Sequence, residues 1–138
     1  MSEDCRGPIP DITLIIRGIR EREINHETGR IKKAAFIPRR NGHDDDGLSV
    51  SQPAGDSRDV LMVRLSNAEG IFCQLQAGSV RMIAEGPIQL DVCPDPTELD
   101  PHHALIKGVP ATHSQAAVAT RLAERLAGIA SRYIPPES

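Results

Sequence analysis

THSQAAVATRLAERLAGIASRY, residues 112–133, is the stretch on which the fold turns. Val118, Leu122, Leu126, Ile129 and Tyr133 recur at three- and four-residue steps, which is one apolar face of an α-helix. Arg121, Glu124, Arg125 and Arg132 fall mostly on the other side. Thr112 and Gln115 have capping-box spacing. Alanines at 116, 117, 119, 123, 127 and 130 favour helix and permit close packing. Gly128 weakens the interior by about 1 kcal/mol relative to alanine, and Pro135 and Pro136 end the helix.

Upstream of this helix the pattern changes to short strands. In residues 11–19, Ile12, Leu14 and Ile16 alternate with Thr13 and Ile15 in a β-branched run, which predicts a well-buried strand. Residues 20–30 are charged and end at Gly29, as a loop or short helix does. Residues 31–37 predict a second strand closed by Pro38, and 48–51 a short third one. Residues 60–65 fit either a strand or a helix capped by Ser57; the helix is preferred. Residues 71–75 and 79–83 read as strands parted at Gly78. Ile88, Leu90 and Val92 alternate with Gln89 and Asp91 as a half-exposed strand does. Residues 104–106 form a last short strand, ended by Gly108 and Pro110. Several short strands and one docking helix predict an α+β class: a small single domain with a C-terminal helix packed on the sheet. Its expected bounds are 11–134, with flexible tails at 1–10 and 135–138.

A chain of 138 residues has room for one core. With Lys plus Arg at 16 and Asp plus Glu at 19, the net charge is −3. That lacks the positive field of a nucleic-acid binder. The aromatics are Phe36, Phe72 and Tyr133, too few for a base-stacking platform. No apolar run approaches the roughly 18 residues of a membrane span. The polar, acidic first ten residues do not resemble a secretion signal, so a cytoplasmic setting is expected. Cys5, Cys73 and Cys93 are odd in number and contain no CxxC, which argues against a structural zinc site. Cys73 and Cys93 read as small strand residues and Cys5 as part of the tail.

Four constellations can carry chemistry. His43, Asp44, Asp45 and Asp46 lie on a glycine-flanked loop, but consecutive carboxylates diverge and the calcium-loop pattern is absent. No metal is expected there. Asp95, Asp100, His102 and His103, with His113 nearby, form the densest imidazole region and offer an acid–base pair. Strand alternation sends His102 and His103 to opposite faces. Arg17 follows an apolar strand, where its planar fork can clamp a phosphate or carboxylate, with hydroxyls from Ser49 and Ser51. Arg30, Lys32, Lys33, Arg39 and Arg40 form a basic cluster next to the acidic loop. Neither GxxxxGK[ST] nor GxGxxG occurs, and no cofactor is expected.

Ala35-Phe36, Asp46-Gly47-Leu48-Ser49-Val50 and His103-Ala104-Leu105-Ile106, followed by Gly108 and Pro110, resemble a family of short uncharacterised bacterial proteins over residues 30–110. Arg17-Gly18-Ile19, Gly29 and Ser49-Val50-Ser51 resemble the arginine and Ser-Thr-Ser strands of ADP-ribosyltransferases. That resemblance implies that Arg17 holds the phosphates or ribose of NAD and that Ser49 shapes the nicotinamide pocket. The catalytic ExE glutamate of that family has no counterpart, since Glu85 and Glu98 sit in no such pattern.

The leading expectation is a small bacterial accessory protein that binds another protein, as an immunity protein, an antitoxin-like protein or a complex subunit. Its partner surface would use Arg39, Arg40, Asp44, Asp45 and Asp46, and the alanine-rich helix could also admit a second helix, including that of another copy. The alternative is an enzyme acting on NAD or a phosphorylated substrate through Arg17, Ser49 and His103.

Overall fold

The structure, a computed structural model, describes residues 5–38, 47–110 and 115–137. Its centre is a six-stranded antiparallel sheet. The strands are β1 (Leu14–Ile19), β2 (Leu48–Ser51), β3 (Ile71–Gln76), β6 (Asp91–Pro94), β7 (His103–Lys107) and β8 (Ser131–Tyr133), in the order β6-β7-β2-β1-β3-β8. A small hairpin of β4 (Ala84–Glu85) and β5 (Ile88–Gln89) stands apart. Helices α1 (Arg58–Arg64), α2 (Ala77–Arg81) and α3 (Ala116–Ile129), with 3₁₀ turns at Glu21–Glu23 and Lys33–Phe36, complete the elements. The architecture is α+β, with the C-terminal helix on the sheet.

Strand alternation divides the core in two. Ile15, Ile19, Leu48, Val50, Cys73, Leu75, Ala104 and Ile106 pack under Ala119, Leu122, Ala123 and Leu126 of α3. Ile16 and Phe72, of the opposite parity, pack with Leu61 of α1 and are flanked by Met62, Leu65 and Tyr133. One face of the sheet is thus closed by α3 together with Ala77 and Val80 of α2 and with Ala35 and Phe36, the other by α1. Ser57 caps α1, accepting a hydrogen bond from Val60 N, which accounts for helix over strand in this segment.

Four expectations change. Residues 31–37 form no strand; Lys33–Phe36 is a 3₁₀ turn that places Ala35 and Phe36 in the core. Residues 79–83 are not a strand, because Ala77 N and Gly78 N bond to Thr13 O and Asp11 O and start α2. Gly78 is there for close approach: a Cβ would lie 2.8 Å from Asp11 Cβ. The strand expected around Leu90 is broken at that residue into β5 and β6. Tyr133 leaves the helical face, since α3 ends at Ile129 and the chain turns at Ala130 to pair β8 with β3. The expected cap at Thr112 lies outside the described residues.

The N-terminal segment is also corrected. Residues 5–10 are a strap rather than a tail. Cys5 forms a disulfide with Cys93 on edge strand β6, their Cα atoms 5.0 Å apart, and Ile9 is buried in the main core. Next to it, Arg81 is 3% exposed and donates to Asp91 Oδ1 at 2.7 Å, Asp11 Oδ1 at 2.8 Å and Val92 O at 2.8 Å. Hydrogen bonding to Arg81 holds the Asp11 carboxyl below its usual 3.8, and burial works against it. Burial pulls the Arg81 pKa down, but Asp91 and Asp11 raise it beyond the ordinary arginine value.

Candidate functional sites on the two faces of the sheet

Of the three residues expected to act together, two share a surface. Ser49 and His103 lie on neighbouring strands β2 and β7, on the α1 side, and both line one cleft. The cleft encloses about 510 Å³ and is also lined by Arg20, Arg64, Asn67 and Asp100. Arg17 is elsewhere. Its parity is that of Ile15 and Ile19, so its side chain enters the α3 side. There it is 1% exposed, and it donates from Nε to Ala35 O at 2.7 Å and from Nη1 to Ser49 O at 2.8 Å. These bonds join β1, β2 and the 3₁₀ turn. The phosphate clamp and the NAD role implied by resemblance are replaced by a structural tether.

Cys73, opposite Arg17 in the β1–β3 register, is fully buried. Burial pushes its thiol from 9.0 up to about 12, opposed by the Arg17 charge. A thiol in that state is a poor nucleophile at neutral pH.

The cleft is organised by Arg64, which sequence reasoning missed. Its Nη1 meets Asp100 Oδ1 at 2.6 Å and Ser51 Oγ at 2.7 Å, and its Nε meets Asp56 Oδ2 at 2.9 Å. Nη2 donates to the carbonyls of Gln52 and Pro53. Asp100 Oδ1 also accepts from His102 N at 3.0 Å. His103 Nδ1 lies 2.9 Å from Asp95 O and 3.1 Å from Asp95 Oδ2. Of the expected carboxylate–imidazole region, Asp95 orients His103, Asp100 is fastened to Arg64, and His102 enters through its backbone N.

On the opposite face, residues 30–34 and the second half of α3 enclose a groove of about 710 Å³. Its apolar lining is Ile31, Ala34, Ala127 and Ala130, and its charged rim is Arg30, Lys32, Lys33 and Glu124. Lys33 Nζ and Glu124 Oε1 are 3.4 Å apart at the surface. A Cβ added at Gly128 would meet no atom within 4 Å, so the groove is open over the helix backbone.

Arg39, Arg40, Asp44, Asp45 and Asp46, the expected partner-binding set, lie outside the described residues, as does His113. Among the described residues, Cys5, Asp91 and Cys93 bring three metal-type ligand atoms within 4.8 Å of one another. The two sulfurs are bonded to each other, and Asp91 Oδ1 accepts from Arg81, so these donors are already engaged. Among the described residues no helix is long and apolar enough to cross a membrane. Comparisons with protein-family models, curated proteins and solved structures return no match.

Proposed function

We propose that this is a small accessory protein that acts by binding an acidic amphipathic helix of another protein in the groove beside α3. The observation that carries the reading is charge against shape. Three exposed cations, Arg30, Lys32 and Lys33, face one acid across an apolar floor. Alanine and glycine at 127, 128 and 130 let a second helix approach closely, and its apolar residues would be covered by Ala34, Ala127 and Ala130. Cations on the rim steer an acidic partner and set its orientation more than they add affinity. Immunity, antitoxin-like and subunit roles all require such a surface.

The enzyme reading loses its anion clamp, because the Arg17 guanidinium is held by the carbonyls of Ala35 and Ser49 and points away from the cleft that the Ser49 and His103 side chains line. Cys5–Cys93 supports a different compartment from the one the N-terminal composition suggested. A disulfide that holds an edge strand persists in an oxidising compartment, and we place the protein there in preference to the cytoplasm.

The test is capture of partners from the native host by tagged wild-type protein, by R30E/K32E/K33E and by Gly128→Leu. The expected result is a stoichiometric partner with an acidic amphipathic segment, held by wild type, released at high salt and lost in both variants. Retention of the same partner by both variants would place the interface elsewhere and end the proposal.

A further inference from the structure

The cleft on the α1 face has bonding capacity that the groove leaves unused. Arg64 carries five N–H donors, and all five have acceptors: Asp56, Ser51, Asp100 and the carbonyls of Gln52 and Pro53. It has nothing left to offer a ligand and instead fixes the position of Asp100. Asp100 is 2% exposed, and its Oδ1 already takes two bonds, from Arg64 and from His102 N. Its Oδ2 is buried and has no hydrogen-bond partner among the described residues. An unpaired carboxylate oxygen in an otherwise saturated cluster carries a desolvation cost that a donor would relieve.

His103 adds a second acceptor. Its Nδ1 faces two oxygens of Asp95, so the ring proton sits on Nδ1, and in the neutral imidazole Nε2 carries the lone pair. Asn67 contributes little more, because its Nδ2 donates to Ile19 O and its Oδ1 accepts from Gly70 N. Across Arg64, Asp100, His103 and Asn67 the remaining capacity is therefore of the acceptor kind, beside the exposed Arg20 that also lines the cleft, whose roughly 510 Å³ suits a small molecule.

We infer that the cleft is a binding site for a small organic cation, an ammonium or guanidinium compound whose N–H groups bond Asp100 Oδ2 and His103 Nε2. The buried oxygen selects a slender donor, and the pairing of the carboxylate with Arg64 keeps it in place before the ligand arrives. This site is independent of the groove, which lies across the sheet.

The test is a titration of the full chain with agmatine, followed by amide chemical shifts, with hexanoate as an anion of similar length. Agmatine is expected to give saturable shifts centred on Ser49, Asp100 and His103, and hexanoate none there. Asp100→Asn replaces a carboxylate oxygen by a donor or leaves it uncharged. It should weaken agmatine by about 10–100-fold, the worth of one hydrogen bond to a charged group. Because Asp100→Asn also disturbs Arg64, Ala68→Trp serves as the second variant. Ala68 is exposed on the cleft lip, so the indole obstructs entry and leaves the Arg64 cluster intact, with the same loss expected. Shifts confined to the groove, equal binding by hexanoate, or unchanged affinity in Ala68→Trp would each overturn the inference.

Discussion

Breaking Cys5–Cys93 is the perturbation whose size the fold sets most directly. The bond joins positions 88 residues apart. In the chain-entropy description a cross-link over such a span removes about 15 cal/mol/K from the unfolded state, or about 4–5 kcal/mol at 25 °C. Unfolding entropy near 2.1 cal/mol/K per residue gives about 290 cal/mol/K for this chain. Reduction should therefore lower Tm by about 15 °C. The assay is thermal unfolding by circular dichroism, with and without a phosphine reductant, alongside Cys5→Ser. The reduced wild type and the variant should melt together, because both lack the same cross-link and keep the same remaining anchors, among them the buried Ile9, the Asp11–Arg81 pair and the bond from Gly78 N to Asp11 O. Thiol titration supplies the control. The native protein should show no reactive thiol, and the unfolded, unreduced protein one, Cys73. Three thiols in the unfolded protein, or a drop under about 3 °C with reduction verified by mass, would refute the reasoning.

Two further predictions concern the core. Leu122→Ala and Leu126→Ala should each cost about 2–5 kcal/mol in urea unfolding, since both side chains are fully buried, whereas Ile129→Ala, on a side chain 40% exposed, should cost under about 1 kcal/mol; equal costs would mean that α3 is seated differently. Cys73 titrates at 9.0 when unfolded and near 12 when folded. The unfolded state loses this proton first, so the contribution is complete below pH 9 and declines by about 1.4 kcal/mol per pH unit from there towards pH 12. Cys73→Ala should flatten that part of the stability profile, and an unchanged slope would show that the thiol is not sheltered.

The strands that were legible in the sequence are β2 and β7, whose Leu48, Val50, Ala104 and Ile106 keep a two-residue period against the α3 side, and β1 and β3, apolar runs that feed the cores on both faces. What misled was apolar content without that period. In residues 31–37 the core takes Ile31, Ala35 and Phe36, a spacing that suits a turn and not a strand. Tyr133 stands one helical step after Ile129 in the sequence, but the chain turns at Ala130 and carries it into β8 instead. The strap was hidden for a different reason. A disulfide across 88 residues has no local signature, and the prolines around Ile9 pointed to looseness rather than to a buried anchor.

The candidate site was half legible, and the half that failed follows from strand parity. Ser49 and His103 sit at cleft-facing positions of paired strands. Arg17 stands one residue out of step with them, between Ile15 and Ile19, so its charge had to be met inside the protein. Arg64 and Arg81 repeat the theme: each is a mostly buried guanidinium that joins segments distant in sequence. In a chain with three aromatic residues, these planar five-donor groups tie elements together where larger rings could have filled the space. A buried arginine with its donors engaged is thus a structural member, however functional it looks in the sequence. Capacity for function then has to be sought where pairing is incomplete. On this protein that means the cations beside α3, which outnumber the single acid Glu124, and one oxygen of Asp100.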